Sequence, residues 1–191
     1  MVRQFLRCVL SSSLLALLTT GIASAATPPR VAIETSAGTI VVQLEPKRAP
    51  RSTKNFLHLV DFGSYTGASF YRTVWKKTEP QSHIEVIQGG LDQHASPVTI
   101  PLEGTNKTGL HNTDGAISMA RTADPNSGSS EFFLCVGDNT FLDAQQQPDH
   151  LGYAAFGHVV RGMEIVRKIN HAAANGEMLT PPVKILRMKR M

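Results

Sequence analysis

The sequence has few of the residues that build metal sites, disulfide frameworks and covalent catalysis. It contains two cysteines, Cys8 and Cys135, in 191 residues. Its seven histidines are scattered, with no H-x-H or H-E-x-x-H motif that would place two imidazoles on one metal ion. The G-x-S-x-G elbow of many hydrolases and the G-x-G-x-x-G loop of dinucleotide-binding folds are both missing. We therefore expect neither a metal nor an organic cofactor.

Concentrated positive charge is also lacking. The formal net charge is +4 at pH 7, and no run of Lys and Arg is longer than two residues. Proteins that bind nucleic acid usually concentrate basic residues on one face or in one segment. The sequence therefore predicts no nucleic-acid partner.

The first 25 residues predict a secretory signal peptide. Arg3 and Arg7 precede a largely apolar or hydroxylated stretch, residues 8–22, and Ala23-Ser24-Ala25 supplies small residues for cleavage after Ala25. The alternative is a membrane anchor, but the stretch is short for a span, which needs about 20 apolar residues. We expect a periplasmic mature domain over residues 26–191, without stable membrane insertion.

The predicted mature chain is long enough for a single domain with one core. Loss of Arg3 and Arg7 would lower the formal charge from +4 to +2. Cys135 would be the one remaining thiol, so no intramolecular disulfide could form. Its neighbours Phe133, Leu134 and Val136 predict a buried, unreactive thiol. We expect the mature protein to be a monomer.

Short apolar runs bounded by Gly, Asn, Asp and Pro dominate this domain. A β-hairpin is predicted over residues 30–46, one helix from Pro50 to Gly63 and a second over Met163–Ile169. Further strands are predicted at 69–74, 83–88, 97–101, 115–120, 131–136, 152–157 and 183–191. About eight short strands without a parallel crossover repeat predict a mainly β fold: a closed eight-stranded antiparallel β-barrel capped by two α-helices.

Aromatic and polar motifs occur at the ends of these predicted strands. In order they are Phe70-Tyr71-Arg72, Gln88-Gly89-Gly90, "SMAR" at 118–121, "SSEFFLCV" at 129–136, "NTFLD" at 139–143 and "GYAAFG" at 152–157. The series resembles the cyclophilin-type peptidyl-prolyl cis-trans isomerases, in which F-H-R, Q-G-G, S-M-A, S-Q-F-F and F-G recur. The resemblance runs from about Val31 to the C-terminus, and a secreted bacterial-type member fits best. It implies a barrel with a substrate groove on its outer wall.

The resemblance implies two catalytic residues. Arg72 would lie in the groove and donate a hydrogen bond to the proline nitrogen, and Gln88 would bind the substrate carbonyl and steady Arg72. Rotation of an X-Pro amide crosses a barrier of roughly 20 kcal/mol because it breaks conjugation. The nitrogen regains a lone pair in the twisted transition state, so a donor aimed at it stabilises that state more than the planar ground state. The alternative for Arg72 is an ordinary solvated surface arginine.

The resemblance also implies the residues that bind the proline-containing polypeptide. Four would line the proline pocket and one would form its rim, while a backbone segment would pair with the extended peptide. The pocket residues are Phe70, Val86, Phe133 and Leu142, the rim is Phe141, the backbone segment is at Ala120, and Glu131 and Tyr153 complete the set. For Phe133 and Leu142 the alternative is a place in the barrel core.

Several positions depart from the family pattern. Tyr71 stands where a histidine is usual, Glu131 replaces the glutamine of S-Q-F-F, Phe141 replaces a tryptophan, Tyr153 replaces a histidine, and Glu85 and Val86 replace a phenylalanine and a methionine. Arg72 and Gln88 are also about eight residues further apart than usual. We expect the Glu131 carboxylate to pair with Arg72 and to lower turnover modestly, so that Glu131→Gln would raise kcat/KM. The alternative is an acidic rim that recruits peptides with Lys or Arg near the proline. These departures leave open a second hypothesis, a proline-peptide binding module or periplasmic chaperone with little catalysis.

Overall fold

The computed structural model describes residues 27–91 and 98–191. The predicted signal peptide lies outside these residues. Within the described ranges, no helix is both long enough and apolar enough to cross a lipid bilayer.

The described chain forms nine strands, three α-helices and one short 3-10 helix. In chain order they are β1 (Arg30–Thr35), β2 (Gly38–Leu44), α1 (Pro50–Asp61), β3 (Ser69–Val74), β4 (Val86–Gly90), α2 (Thr105–Thr108), β5 (Ala116–Met119), β6 (Phe132–Cys135), the 3-10 helix (Thr140–Leu142), β7 (Ala154–Arg161), α3 (Met163–Asn170), β8 (Ala174–Asn175) and β9 (Met178–Arg190).

Eight of the strands close into a barrel. Their order around the wall is β1-β2-β7-β5-β6-β4-β3-β9, and pairing of β9 with β1 closes the sheet. Every strand pairing is antiparallel, and the two-residue β8 pairs with β9 outside this wall. The predicted closed eight-stranded antiparallel barrel is therefore confirmed.

Five aromatic rings fill one part of the barrel interior. They lie with centroids 5.4 to 5.8 Å apart in tilted and edge-on pairs, a geometry that aromatic quadrupoles favour. The rings are those of Phe56, Tyr65, Phe70, Phe132 and Phe156. Alternation along β6 sends Phe132 and Leu134 inward and leaves Phe133 and Cys135 on the outer wall.

The two longer helices cover opposite ends of the barrel. Helix α1 begins at Pro50, which suits a first helical turn, and its final residue Asp61 pairs with Arg190 at the end of β9. Helix α3 lies at the other end, where Ile165 packs against Gly38 at the start of β2. Both helices bury their apolar faces in the same core, as the hydrophobic pattern predicted.

Some predicted elements differ from the structure. The prediction of a strand at 97–101 is wrong over residues 98–101, the part that the structure describes. There Ile100 makes one isolated bridge with Gly128 instead of a strand. Strand β4 begins at Val86 rather than at residue 83, because residues 75–82 form successive turns held by backbone bonds. The short α2 and the 3-10 helix were not predicted, since three or four residues are too few to show a helical period.

Candidate active site

A β-bulge in β3 places Arg72 on the outer wall. Phe70 pairs with Gly89 and Arg72 with Gln88, so Tyr71 is an extra residue on its strand. In a regular strand Phe70 and Arg72 would share one face, but the bulge separates them. Phe70 is fully buried in the aromatic core and Arg72 faces outward. The prediction that Phe70 lines the proline pocket is therefore wrong.

The Q-G-G motif allows the bulged strands to approach closely. Gly90 has φ +142°, a conformation that residues with a side chain rarely adopt. A Cβ atom at Gly90 would lie 2.6 Å from the Ser130 carbonyl oxygen, and one at Gly89 would lie 2.6 Å from the Ser69 carbonyl oxygen. The two glycines therefore keep β4 packed between its neighbours and hold Gln88 in register with Arg72.

Outward-facing side chains form two rows across the wall. Cross-strand pairing aligns Arg72 with Gln88 and Gln88 with Phe133. One step along, it aligns Val74 with Val86 and Val86 with Cys135. The first row contains the polar side chains of Arg72 and Gln88, and the second row is apolar. Polar and apolar surfaces therefore lie side by side on β3, β4 and β6.

The Arg72 guanidinium is held at two of its nitrogens. Nη1 donates to the Gln88 Oε1 atom at 2.8 Å, and Nε donates to the Glu177 Oε2 atom at 2.7 Å. The side chains of Arg72 and Glu177 are 33% and 30% exposed, so the ion pair lies at the surface of the wall. Sequence reasoning missed Glu177, because it is 105 residues from Arg72 and belongs to no motif.

Gln88 is held in turn by Tyr71 and Glu131. Its Nε2 atom donates to the Tyr71 hydroxyl at 2.7 Å and to the Glu131 Oε2 atom at 2.9 Å. The Tyr71 hydroxyl donates to the same carboxylate oxygen at 2.5 Å. Burial, together with the bond and charge of Glu131, raises the pKa of Tyr71, so the phenol remains a donor at neutral pH.

Glu131 therefore has a different partner from the one predicted. Its carboxylate binds Gln88 and Tyr71, and the acidic partner of Arg72 is Glu177. The expectation that Glu131 pairs with Arg72 is therefore wrong, and the modest loss of turnover expected from that pair loses its basis. The physical reason is the pairing register, which puts Gln88 on β4, between β3 with Arg72 and β6, which Glu131 immediately precedes.

An apolar surface adjoins these polar groups. A cluster separate from the barrel core contains Val86, Phe133 and Leu142 with Val74, Ala116 and Cys135, and Ile84, Ala120 and Tyr153 pack against it. The structure thus brings together five of the predicted binding residues: Val86, Ala120, Phe133, Leu142 and Tyr153. Both Phe133 and Leu142 are buried, but in this outer cluster rather than in the interior core.

Cys135 lies in the floor of this outer cluster. It is buried, as predicted, and burial raises the pKa of its thiol, with a further rise from Asp143 and Asp114. A thiol that stays protonated is a poor nucleophile. Cys135 therefore contributes packing to the site.

Residues 75–85, between β3 and β4, form one border of the apolar surface. Ile84 packs on the cluster, and the Glu85 backbone is bonded to Asn139 Oδ1 at 2.7 Å. Phe141 is 44% exposed, and its ring lies 5.4 Å from that of His83. Sequence reasoning missed Ile84, since the longer segment obscured which residue stands beside Val86.

Tyr153 and Ala120 border the opposite side. The Tyr153 ring meets Phe133 edge-on at 5.5 Å, and the Arg121 guanidinium lies 4.9 Å from its centre. The Ala120 N–H donates to the Glu131 carbonyl at 3.0 Å. A substrate strand would therefore have to pair with the Ala120 carbonyl.

Asn170 supports the site from below. It is fully buried at the end of α3, and its Nδ2 atom donates to Thr73 Oγ1, to the Val74 carbonyl and to the Val86 carbonyl at 3.1 to 3.2 Å. These bonds join the strands of Arg72 and Gln88 immediately beside the two side chains.

Two open depressions share Glu131 in their walls. The larger, of about 620 Å³, is lined in part by Tyr71 and Gly90, and the smaller, of about 160 Å³, by Gln88 and Ala120. Neither is lined by Phe133, so both lie beside the apolar surface rather than over it. Over residues 27–91 and 98–191, no group of three or more His, Cys, Asp or Glu side chains is placed to hold a metal ion.

Comparison with known proteins identifies the family. Residues 30–190 match the family model described as cyclophilin type peptidyl-prolyl cis-trans isomerase/CLD. The chain is 40% identical to peptidyl-prolyl cis-trans isomerase A of Dickeya dadantii (strain 3937) over 150 residues, which are 77% of this chain and 74% of that protein. It is 36% identical to peptidyl-prolyl cis-trans isomerase B of Escherichia coli (strain K12) over 149 residues, which are 75% of this chain and 85% of that protein.

Solved structures agree on the fold. A crystal structure of a cyclophilin type peptidyl-prolyl cis-trans isomerase of Cryptosporidium parvum superposes with a TM-score of 0.70 at 20% identity, covering 86% of this chain and 98% of the other. A second structure of that protein, in the presence of the dipeptide Ala-Pro, superposes with a TM-score of 0.67 at 21% identity. The match covers 83% of this chain and 96% of the other. On the family match and the bacterial relatives together, the chain belongs to the cyclophilin-type peptidyl-prolyl cis-trans isomerases.

Proposed function

We propose that the protein isomerises X-Pro bonds in exported polypeptides in the periplasm, with Arg72 as its catalytic group. The observation that carries the proposal is the placement of a tethered guanidinium beside an apolar surface on the outer wall of the barrel. A proline ring needs the apolar surface, and its nitrogen needs a donor close by. The relative studied in the presence of Ala-Pro supports a proline peptide as the ligand.

The site residues would have two roles, binding of the substrate and catalysis. Val86, Phe133 and Leu142 would hold the proline ring, and Gln88 would keep Arg72 in place. Arg72 would then donate to the pyramidal proline nitrogen of the twisted amide, an interaction that the planar amide cannot make as well. No bond to the substrate is made or broken, so the reaction needs no nucleophile.

The proposed activity is tested on the mature chain, residues 26–191, with a proline-containing tetrapeptide. We expect the cis-to-trans rate to rise in proportion to protein concentration, because an enzyme turns over. A proline-peptide binding module would bind the peptide without accelerating its isomerisation. Binding without acceleration would contradict the proposal and favour that second function.

The proposed location rests on residues 1–25. We expect the exported protein to begin at Ala26, because Ala23 and Ala25 are the small residues that a signal peptidase recognises. N-terminal sequencing of protein from the periplasmic fraction measures this. A protein that begins at Met1, or a membrane-bound pool that retains the segment, would contradict the proposal.

A further inference from the structure

The turn that carries Glu177 is attached directly to the strand of Arg72. Asn175 of β8 pairs with Met178 of β9, so Gly176 and Glu177 form a two-residue hairpin turn. Gly176 has φ +58°, as the first residue of such a turn often requires. The Glu177 carbonyl accepts a hydrogen bond from the Thr73 N–H at 2.8 Å. The fold therefore fixes the Glu177 backbone beside the residue that follows Arg72.

The Glu177 carboxylate determines where one edge of the guanidinium lies. It accepts from Nε at 2.7 Å, while Gln88 accepts from Nη1 at 2.8 Å. A guanidinium is planar and rigid, so two bonds at different nitrogens fix the position of the third. Over residues 27–91 and 98–191, the hydrogen bonds of the Arg72 side chain are at Nε and Nη1, and Nη2 has no partner. The arrangement leaves Nη2 available to donate to a substrate nitrogen.

The far end of the same network fixes Gln88. Its Nε2 atom is taken by Tyr71 and Glu131, so its Oε1 atom is the one that faces Arg72. Glu177 and Glu131 therefore terminate a continuous chain of hydrogen bonds, with the two predicted catalytic side chains between them. Gln88 alone would hold Arg72 at one nitrogen and leave the guanidinium free to rotate about that bond.

Glu177 has a second effect of opposite sign, because it offsets part of the charge of Arg72. Both side chains are about one-third exposed, and solvent screens an ion pair of that kind strongly. Solvent does not restore the lost orientation of a side chain with many rotamers. The positional effect should therefore exceed the effect on charge.

We propose that Glu177 is a positioning residue for the isomerase reaction, whose carboxylate holds Arg72 so that Nη2 meets the proline nitrogen. The inference rests on the proposed catalytic role of Arg72. Glu177 makes no contact with the substrate in this role. It acts on the transition state through Arg72, so its removal should lower kcat and leave ground-state binding of the peptide nearly unchanged.

The experiment measures kcat and KM separately for the wild type, Glu177→Ala and Glu177→Gln on a neutral proline peptide. We expect Glu177→Ala to lower kcat about tenfold with KM changed less than about twofold. Glu177→Gln should stay within about threefold of the wild type, because its amide oxygen can still accept from Nε without the charge. Rescue by glutamine distinguishes an oriented acceptor from a negative charge.

Glu34→Ala is the matched control. Glu34 accepts from Arg187 Nε at 2.8 Å, its side chain is 26% exposed, and Arg187 lies nine residues beyond Met178 along β9. We expect wild-type kcat from this variant. A kcat for Glu177→Ala that is unchanged or raised, or equal losses for alanine and glutamine, would overturn the inference. If Arg72→Ala is inactive while Glu177→Ala is not, only this inference fails; if the wild type itself is inactive, the proposed function fails.

Discussion

Replacing Arg72 with alanine is expected to lower kcat/KM on a proline peptide by about a hundredfold. A hydrogen bond from a charged donor contributes about 1.5–3 kcal/mol, and each 1.4 kcal/mol is a factor of about ten in rate. Stability should change little, because Arg72 lies on the outer wall and a partly exposed ion pair contributes about 0–1 kcal/mol. Kinetic assays and thermal unfolding of the same preparations measure both effects.

Arg72→Lys is the informative control for this prediction. Lysine keeps the positive charge, but its single ammonium group lacks the planar fork that bonds Gln88 and Glu177 at two nitrogens. We therefore expect Arg72→Lys to have much lower activity than the wild type, as Arg72→Ala does. Wild-type turnover in the alanine variant would contradict the proposed mechanism. A variant that does not fold would instead indicate a structural role for Arg72.

Substitutions at the neighbouring residues Phe132 and Phe133 are expected to have different effects, one mainly on stability and the other mainly on substrate binding. Phe132→Ala should destabilise the fold by about 3–5 kcal/mol, since its ring contacts Phe56, Tyr65 and Phe70 inside the barrel. That is a large part of the roughly 5–15 kcal/mol that stabilises a typical domain. Phe133→Ala should cost less, because Phe133 packs in the smaller outer cluster rather than among the aromatic rings of the interior.

Phe133→Ala should instead raise KM about tenfold, because the proline ring would lose an aromatic surface worth about 1–2 kcal/mol. Urea unfolding gives the stability of each variant, and kinetics at a temperature where both remain folded gives KM. Phe133→Leu, which keeps apolar volume, should recover part of the affinity. An unchanged KM in Phe133→Ala, with a loss of stability like that of Phe132→Ala, would place Phe133 functionally in the core.

The sequence by itself determined the architecture. Alternation of apolar and polar residues follows the two-residue period of a strand, and the apolar face of a helix follows its 3.6-residue period. Both are local properties, so the hairpin of β1 and β2 and the helices α1 and α3 could be predicted from short stretches. The order of the F-Y-R, Q-G-G and S-M-A-R motifs then indicated the family.

Only the tertiary structure decided which side chains meet in the site. A single extra residue, Tyr71, reversed the face of Phe70 relative to Arg72, and no local pattern distinguishes a bulged strand from a regular one. The longer segment before β4 likewise concealed that Ile84 packs beside Val86. In both cases the pairing register was needed, and register depends on partner strands far away in the chain.

The partners of the charged groups were decided in the same way. From the sequence, Glu131 was the acid expected to pair with Arg72, because its motif lies beside the catalytic residues. In the fold Gln88 lies between them, and the turn of β8 and β9 brings Glu177 to Arg72 from 105 residues away. An ion pair needs two atoms within a few ångströms. Sequence motifs identify the residue types of this site, but closure of the barrel determines those distances.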